Sequence, residues 1–180
     1  VLINNAGVMA YGNFYEIPLA MHERLLSINV AAPLKLMHFF LRDMIKNGEG
    51  RILNVGSVSA FQPTAHHALY GAGKSLLQSL SEAIQEEIRG TGVQVQTLNP
   101  GYTDTPLLKT NNFPPDLAWY KITGLSKPSR VAQKGIRAFK KGKSLYIPGI
   151  RNRFIHRVLI RFTPHWIINR IGTMFLRQYL

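Results

Sequence analysis

The sequence predicts an α/β protein built on a doubly wound parallel sheet, and three observations carry that prediction. Short apolar runs bounded by Gly, Pro or Asn stand at residues 1–4, 51–55, 93–98 and 144–147. Longer stretches between them place apolar residues at three- and four-residue spacing, as helices do. The resulting order of strand, helix, strand, helix, strand, loop, helix, strand is that of parallel strands joined by right-handed crossovers.

Each element has its own local reason. Val1, Leu2 and Ile3 run into Asn4-Asn5-Ala6-Gly7, a buried strand ending in a turn. The chain thus opens in mid-strand, without Met or a charged leader, and more sequence is expected upstream. Residues 18–45 are rich in Leu, Met and Phe at helical spacing and are closed by Asn47-Gly48. Residues 68–89 put Leu69, Leu76, Leu77, Leu80, Ile84 and Ile88 on one broad stripe, ended by Gly90. A third helix is expected over 129–141, with Ser129 as N-cap and Gly142 just past its end. In such sheets ligands bind at the carboxyl ends of the strands, here 4–7, 55–59 and 99–105.

Composition narrows the function. With 180 residues, 46% hydrophobic and 17% charged, the chain has enough apolar material for one core and is not disordered. It has no cysteine, which excludes a disulfide framework, a thiolate zinc site and a Cys nucleophile. Nothing points to secretion, and no apolar run is long enough for a transmembrane helix, so a cytoplasmic protein is expected. The net charge of +13 is uneven: residues 1–120 sum to −1 and residues 121–180, without a single Asp or Glu, to +14. Any charged partner therefore belongs to the last third.

Four features carry chemistry. Tyr70 and Lys74 stand four apart at the start of a helix and emerge on one face. A phenol is a poor proton-transfer group at neutral pH unless a nearby cation favours its anion, which a lysine one turn away does. Ser57 follows the strand 51–55, where its hydroxyl reaches a carbonyl bound at the strand's end. Asn99-Pro100-Gly101 ends the next strand, and Asn29 puts an amide inside an otherwise apolar helix.

These pieces, in this order and at about these spacings, resemble the short-chain dehydrogenase/reductase family, a Rossmann-like fold. The matching elements are Asn4-Asn5-Ala6-Gly7, Asn29, Ser57, the Y-x-x-x-K pair Tyr70 and Lys74, and Pro100-Gly101 with Thr105, covering about residues 1–149. The resemblance implies an NAD(P)-dependent oxidoreductase that interconverts a carbonyl and a secondary alcohol. It makes Tyr70 the general acid/base and has Lys74 lower the Tyr70 pKa and hold the nicotinamide ribose. Ser57 would polarise the carbonyl. Asn29 would hold a water in a proton relay to Lys74. Asn5, Ala6 and Gly7 would line the cofactor side, with Gly7 permitting close backbone approach. Pro100, Gly101, Thr103 and Thr105 would flank the nicotinamide, and the residues present do not choose between NAD and NADP.

Two departures stand out. The family's Gly-rich phosphate loop is absent, consistent with an expected upstream segment, so the chain reads as an N-terminally truncated catalytic portion. Gly56 also stands where many relatives have a second Ser, a change that leaves Ser57 in place. Plainer readings stand beside several assignments. Thr103 and Thr105 also suit a turn or N-cap. His66-His67 lack an acidic or Cys neighbour, so they are read as loop residues at the substrate mouth, and no metal site is assigned. Residues 104–128 read as a surface loop or as a lid; as a lid, Leu107, Leu108, Phe113, Leu117, Trp119 and Tyr120 would favour a lipophilic substrate.

The chain divides into 1–150, the catalytic portion, and 151–180, a basic amphipathic helical tail. Arg153, Arg157 and Arg161 recur every four residues, with Phe154, Ile155, Val158, Leu159 and Phe162 alongside. Such a face suits an anionic membrane surface, or a hairpin packed on the catalytic portion or at a dimer interface. No nucleic-acid motif accompanies the charge. A homo-oligomer is expected from the resemblance, with a small-molecule carbonyl or alcohol as substrate. The competing function is a catalytically inactive dimerisation or membrane-surface binding module.

Overall fold

The structure, a computed structural model, describes residues 1–109, 113 and 118–176. Four parallel strands, β1 (Leu2–Asn4), β2 (Gly50–Val55), β3 (Val93–Leu98) and β4 (Leu145–Tyr146), lie in the order β1-β2-β3-β4. Leu2 pairs with Ile52, Gly50 with Val93, and Thr97 with Leu145. Neighbours in sequence are neighbours in the sheet, so each connection is a crossover that lays helices on a face.

The pleat decides which residue meets which layer. Ile52 and Val95 point to one side, where they pack with Met37 and Met44 of α2 (Ala32–Asn47) and Leu77 of α3 (Ala68–Glu87). Leu53 and Leu98 point to the other, against Phe139 of α5 (Pro128–Lys140). Both faces are covered, which is why the strands read as continuous apolar runs rather than alternating ones. The fold class is the one the sequence implies.

The helix expected over 18–45 is two segments, α1 (Leu19–Leu26) and α2, joined without a break by a wide turn at Ser27–Ala31. Pro33 sits in the first turn of α2, where its missing N–H belongs to a different hydrogen-bond register. Gly48, at φ +69, closes α2 by donating its N–H to Ile45 O, with Glu49 N reaching Met44 O. Two local expectations are corrected. The third helix starts at Pro128 rather than Ser129, with Lys127 as its uncapped N-terminus, because proline is pre-set for the first helical position. On α3, Leu76 is exposed, while Tyr70, Lys74, Leu77 and Ser81 face inward. The buried face of α3 is thus more polar than an apolar stripe.

That polarity is satisfied by a ladder through the protein. Asn4 Nδ2 donates to Asn54 Oδ1 at 2.7 Å, Asn54 Nδ2 to Ser81 Oγ at 2.8 Å, and Ser81 Oγ to Leu77 O at 2.6 Å. The ladder fixes β1, β2 and α3 side by side, and with them the three carboxyl-end loops.

Beyond β4 the chain forms α6 (Ile150–Phe154), a wide turn at Ile155–Leu159, α7 (Ile160–Phe162) and α8 (His165–Leu176). One face of this tail is docked: Asn152, His156 and Ile168 are buried. A Cβ on Gly101 would overlap the Asn152 amide, so the tail packs directly on the loop after β3. The expected arginine ridge does not run straight. The wide turn shifts the spacing, and Arg153 folds back over the Tyr146 ring, 5.4 Å from its centroid. The Arg161 side chain lies outside the description.

Candidate active site

The loop after β1 lines the site. Asn5, Ala6 and Gly7 form one wall of a cavity of about 680 Å³ at the carboxyl ends of the strands. A Cβ at Gly7 would sit 3.4 Å from Asn29 Oδ1 and 3.8 Å from Lys74 Nζ, so only glycine leaves that corner open. Asn29 itself does not line the cavity. Its amide, in the wide turn between α1 and α2, donates to Val8 O at 2.8 Å and accepts from Val8 N at 2.9 Å. The buried amide therefore holds the β1 loop in place, and its partner is main chain.

Ser57 follows β2 in extended conformation and caps the short helical turn Val58–Phe61, with Ser57 Oγ accepting from Ser59 N at 3.1 Å. Its own N–H donates to Asn99 Oδ1 at 3.0 Å. Asn99 Nδ2 donates to Gln78 Oε1 at 2.6 Å, and Gln78 Nε2 to Glu82 Oε1 at 2.8 Å. A relay from α3 through the end of β3 thus holds the Ser57 main chain. Gly56 is part of that arrangement, since a Cβ there would overlap Asn99 Oδ1. Gly56→Ala is accordingly expected to cost about 1–3 kcal/mol of stability and to lower turnover with it. Urea unfolding and an activity assay check this; a variant matching the parent in both would mean that Asn99 moves aside freely.

Tyr70 and Lys74 project from the first two turns of α3 into the same cavity, as Ser57 does from β2. Burial raises the Tyr70 pKa, and a hydrogen bond with the Ser57 side chain opposes that rise. Lys74 is pushed down by burial to about 8. Its ammonium donates to Val55 O at 2.8 Å and lies 5.7 Å from the Tyr70 ring centroid. Desolvation of the phenol thus sets the direction of the Tyr70 shift, and the lowering comes from Ser57.

Pro100, Gly101, Thr103 and Thr105 line the same cavity. The two threonine hydroxyls serve the turn, Thr103 Oγ1 donating to Gly101 O at 2.9 Å and Thr105 Oγ1 to Thr103 O at 3.3 Å. Of the apolar residues of 104–128, Leu107, Leu108 and Phe113 face the cavity, and Tyr120 packs at 4.9 Å on the Tyr102 ring. Leu117 and the Trp119 side chain lie outside the description.

Sequence reasoning missed Met9, Tyr11 and Tyr102. Met9 and Tyr102 line the cavity; Tyr11 packs 5.4 Å from Phe113 behind it. The signal was available: all three sit in loops that leave the carboxyl ends of β1 and β3. His67, read as a mouth residue, is in fact buried against Tyr70.

A family model described as short chain dehydrogenase matches residues 1–114. The chain belongs to the short-chain dehydrogenase family. Among curated relatives of this family, the ketoacyl reductase HetN of Nostoc sp. is 31% identical over 140 residues, covering 78% of this chain and 48% of HetN. Among solved structures, the bulky-bulky ketone specific alcohol dehydrogenase from Comamonas testosteroni superposes with a TM-score of 0.70 at 28% identity, over 83% of this chain and 54% of that one. A 3-ketoacyl-(acyl-carrier-protein) reductase from Brucella melitensis, complexed with NADH, gives 0.72 at 26% identity, over 84% of this chain and 66% of that one. The chain spans about half the length of the curated relatives it matches.

Proposed function

We propose that the natural protein is an NAD(P)-dependent oxidoreductase that interconverts a carbonyl and a secondary alcohol on a lipophilic substrate. The observation that carries this reading is the convergence of Ser57, Tyr70 and Lys74 on one cavity that Asn5, Ala6 and Gly7 also line. The residues present fit the nicotinamide-ribose end of such a cofactor. The corner at Gly7, which a Cβ would fill, adjoins the Lys74 ammonium, as a ribose site beside a cation requires. Lys74 would hold that ribose, and Asn5, Ala6, Pro100, Gly101, Thr103 and Thr105 would flank the ring. When bound, NAD or NADP supplies or accepts the hydride.

The rest of the chemistry falls to this chain. Ser57 Oγ and Tyr70 Oη, already hydrogen-bonded to each other, together receive the carbonyl oxygen. Burial keeps the Tyr70 phenol protonated at neutral pH, so it gives its proton to that oxygen as negative charge develops there. In the reverse direction Tyr70 must take the proton, and the Lys74 charge supports the phenolate. Asn29 contributes by fixing the β1 loop, with a water relay to Lys74 as its second role.

Apolar surface supports the lipophilic substrate: Met9, Val58, Leu107, Leu108 and Phe113 line the cavity around the polar trio. Bulky or long-chain ketones are expected to be reduced with kcat/KM at least about tenfold above small polar ones, the discrimination of a few methylenes. NAD(P)H oxidation with a graded ketone series measures this, and equal turnover across the series sinks the lipophilic assignment.

The tail supports a further partner, an anionic membrane surface. Phe162 and Trp166 are 80% and 68% exposed, Phe154, Val158, Leu159 and Met174 are also exposed, and Arg151, Arg157 and Arg170 stand among them with no acid. Among the described residues no helix is long and apolar enough to cross a membrane, so the contact is a surface one. Co-sedimentation with phosphatidylserine vesicles is expected to fall at high salt and on Phe162→Ser with Trp166→Ser. Equal recovery with neutral and anionic vesicles would count against it.

A further inference from the structure

Beside Tyr70 the cavity holds a buried polar side chain, His67, that the chemistry above leaves without a task. It ends the loop before α3, three residues ahead of Tyr70 and on the same side of the helix. It lines the catalytic cavity and is only 4% exposed. Its ring centroid lies 6.2 Å from that of Tyr70 and 6.2 Å from that of Phe113. Its Nδ1 is buried and has no hydrogen-bond partner among the described residues.

Three physical points bear on what this ring is placed to do. A buried ring nitrogen without a partner is unfavourable by about 1–3 kcal/mol, where Phe or Leu would fill the space without that loss. The backbone that delivers it is also strained: His66 has φ +63, a conformation held by Gly12 N donating to His66 O at 2.8 Å. Burial and the neighbouring His66 push the His67 pKa down to about 4, so the ring is neutral near pH 7 and offers one N–H and one lone pair. Met9, Val58, Leu107, Leu108 and Phe113 line the same cavity, with the Tyr102 ring 6.2 Å from that of Phe113.

Resting on the oxidoreductase reading, we propose that His67 is a specificity-determining residue that hydrogen-bonds a second oxygen of the substrate. The substrate class is then a lipophilic ketone that carries a hydroxyl or a second carbonyl close to the reacting one. Ser57 and Tyr70 hold the reacting oxygen, His67 holds its neighbour, and the apolar wall takes the remaining carbon. The contact to His67 fixes which way round an unsymmetrical substrate sits, because a reversed substrate leaves His67 without that partner.

The test is a matched pair: one bulky ketone without further oxygen, and the same skeleton with a hydroxyl or carbonyl one or two carbons from the reacting centre. The natural protein is expected to favour the oxygenated member by about 5–150-fold in kcat/KM, what 1–3 kcal/mol amounts to. His67→Phe is expected to collapse that ratio toward one. His67→Gln, which keeps a donor and an acceptor, retains part of it through KM. The ratio cancels any loss of folded protein, so the readout survives partial misfolding of either variant. A ratio near one in the natural protein, or one that His67→Phe leaves in place, overturns the assignment of His67. Absence of turnover of either ketone with NADH and NADPH overturns the parent reading instead, and this one with it.

Discussion

Tyr70→Phe is expected to lower carbonyl turnover by about 10²–10⁴-fold while leaving the fold and dinucleotide binding in place. The Tyr70 ring belongs to a buried cluster with Met9, Tyr11, Leu25 and Phe113, and phenylalanine preserves every one of those contacts. What disappears is the hydroxyl, with its hydrogen bond to Ser57 and the proton it gives to a bound carbonyl oxygen. Desolvation raises the Tyr70 pKa, so in the absence of substrate the phenol keeps its proton across the neutral range, the state that reduction requires. Reduction should therefore hold steady through neutral pH, and oxidation of the alcohol should rise with pH only until Lys74 loses the charge that supports the phenolate, at about pH 8. The measurements are NAD(P)H oxidation for turnover, circular dichroism for the fold and fluorescence titration for the dinucleotide. Turnover of Tyr70→Phe within a few fold of the parent would remove Tyr70 from the chemistry.

How far the sequence reached depends on which interactions are local. The strands were legible because both sheet faces are covered, which makes 51–55 and 93–98 continuous apolar runs. The site was legible because Ser57, Tyr70, Lys74 and Pro100-Gly101 keep fixed spacings along the chain and meet at the carboxyl ends of β2 and β3. Spacing could not show what each group touches. Asn29 looks like a lone amide in a helix, and its use for Val8 depends on a loop 21 residues away. Gly56 looks like a mild replacement, and only the Asn99 side chain from the next strand shows that the position has no room for a Cβ. The Tyr70–Lys74 pair suggests a lowered phenol, whereas burial, a property of the whole fold, sets the opposite direction. His67 has no motif at all. Its place beside Tyr70 comes from a strained loop that no periodicity predicts.

Lys74→Met should separate stability from activity. Turnover is expected to fall by about 10²–10³-fold, because the Tyr70 phenolate and the ribose both lose the cation beside them. Stability at pH 7 should move the other way. Burial lowers Lys74 from 10.5 to about 8, which at 1.36 kcal/mol per pKa unit makes the buried charge unfavourable by on the order of 3 kcal/mol. Methionine fills similar volume without that charge, at the loss of the bond to Val55 O, about 1–2 kcal/mol. The net expectation is a gain of roughly 1–2 kcal/mol. The sign has a pH signature. Below about pH 8 both folded and unfolded chains hold the Lys74 proton, and the full burial cost is present. Between about 8 and 10.5 only the unfolded chain holds it, so the parent grows more stable as pH rises. Lys74→Met lacks that rise, and its advantage shrinks toward pH 10.5. Urea unfolding at pH 7, 9 and 10.5 reads this directly. A variant less stable than the parent at pH 7, or one with the parent's alkaline slope, would mean that Lys74 is better solvated than its buried position implies. The expected pattern marks a cation kept in place for the proton and the ribose it serves, against the preference of the fold around it.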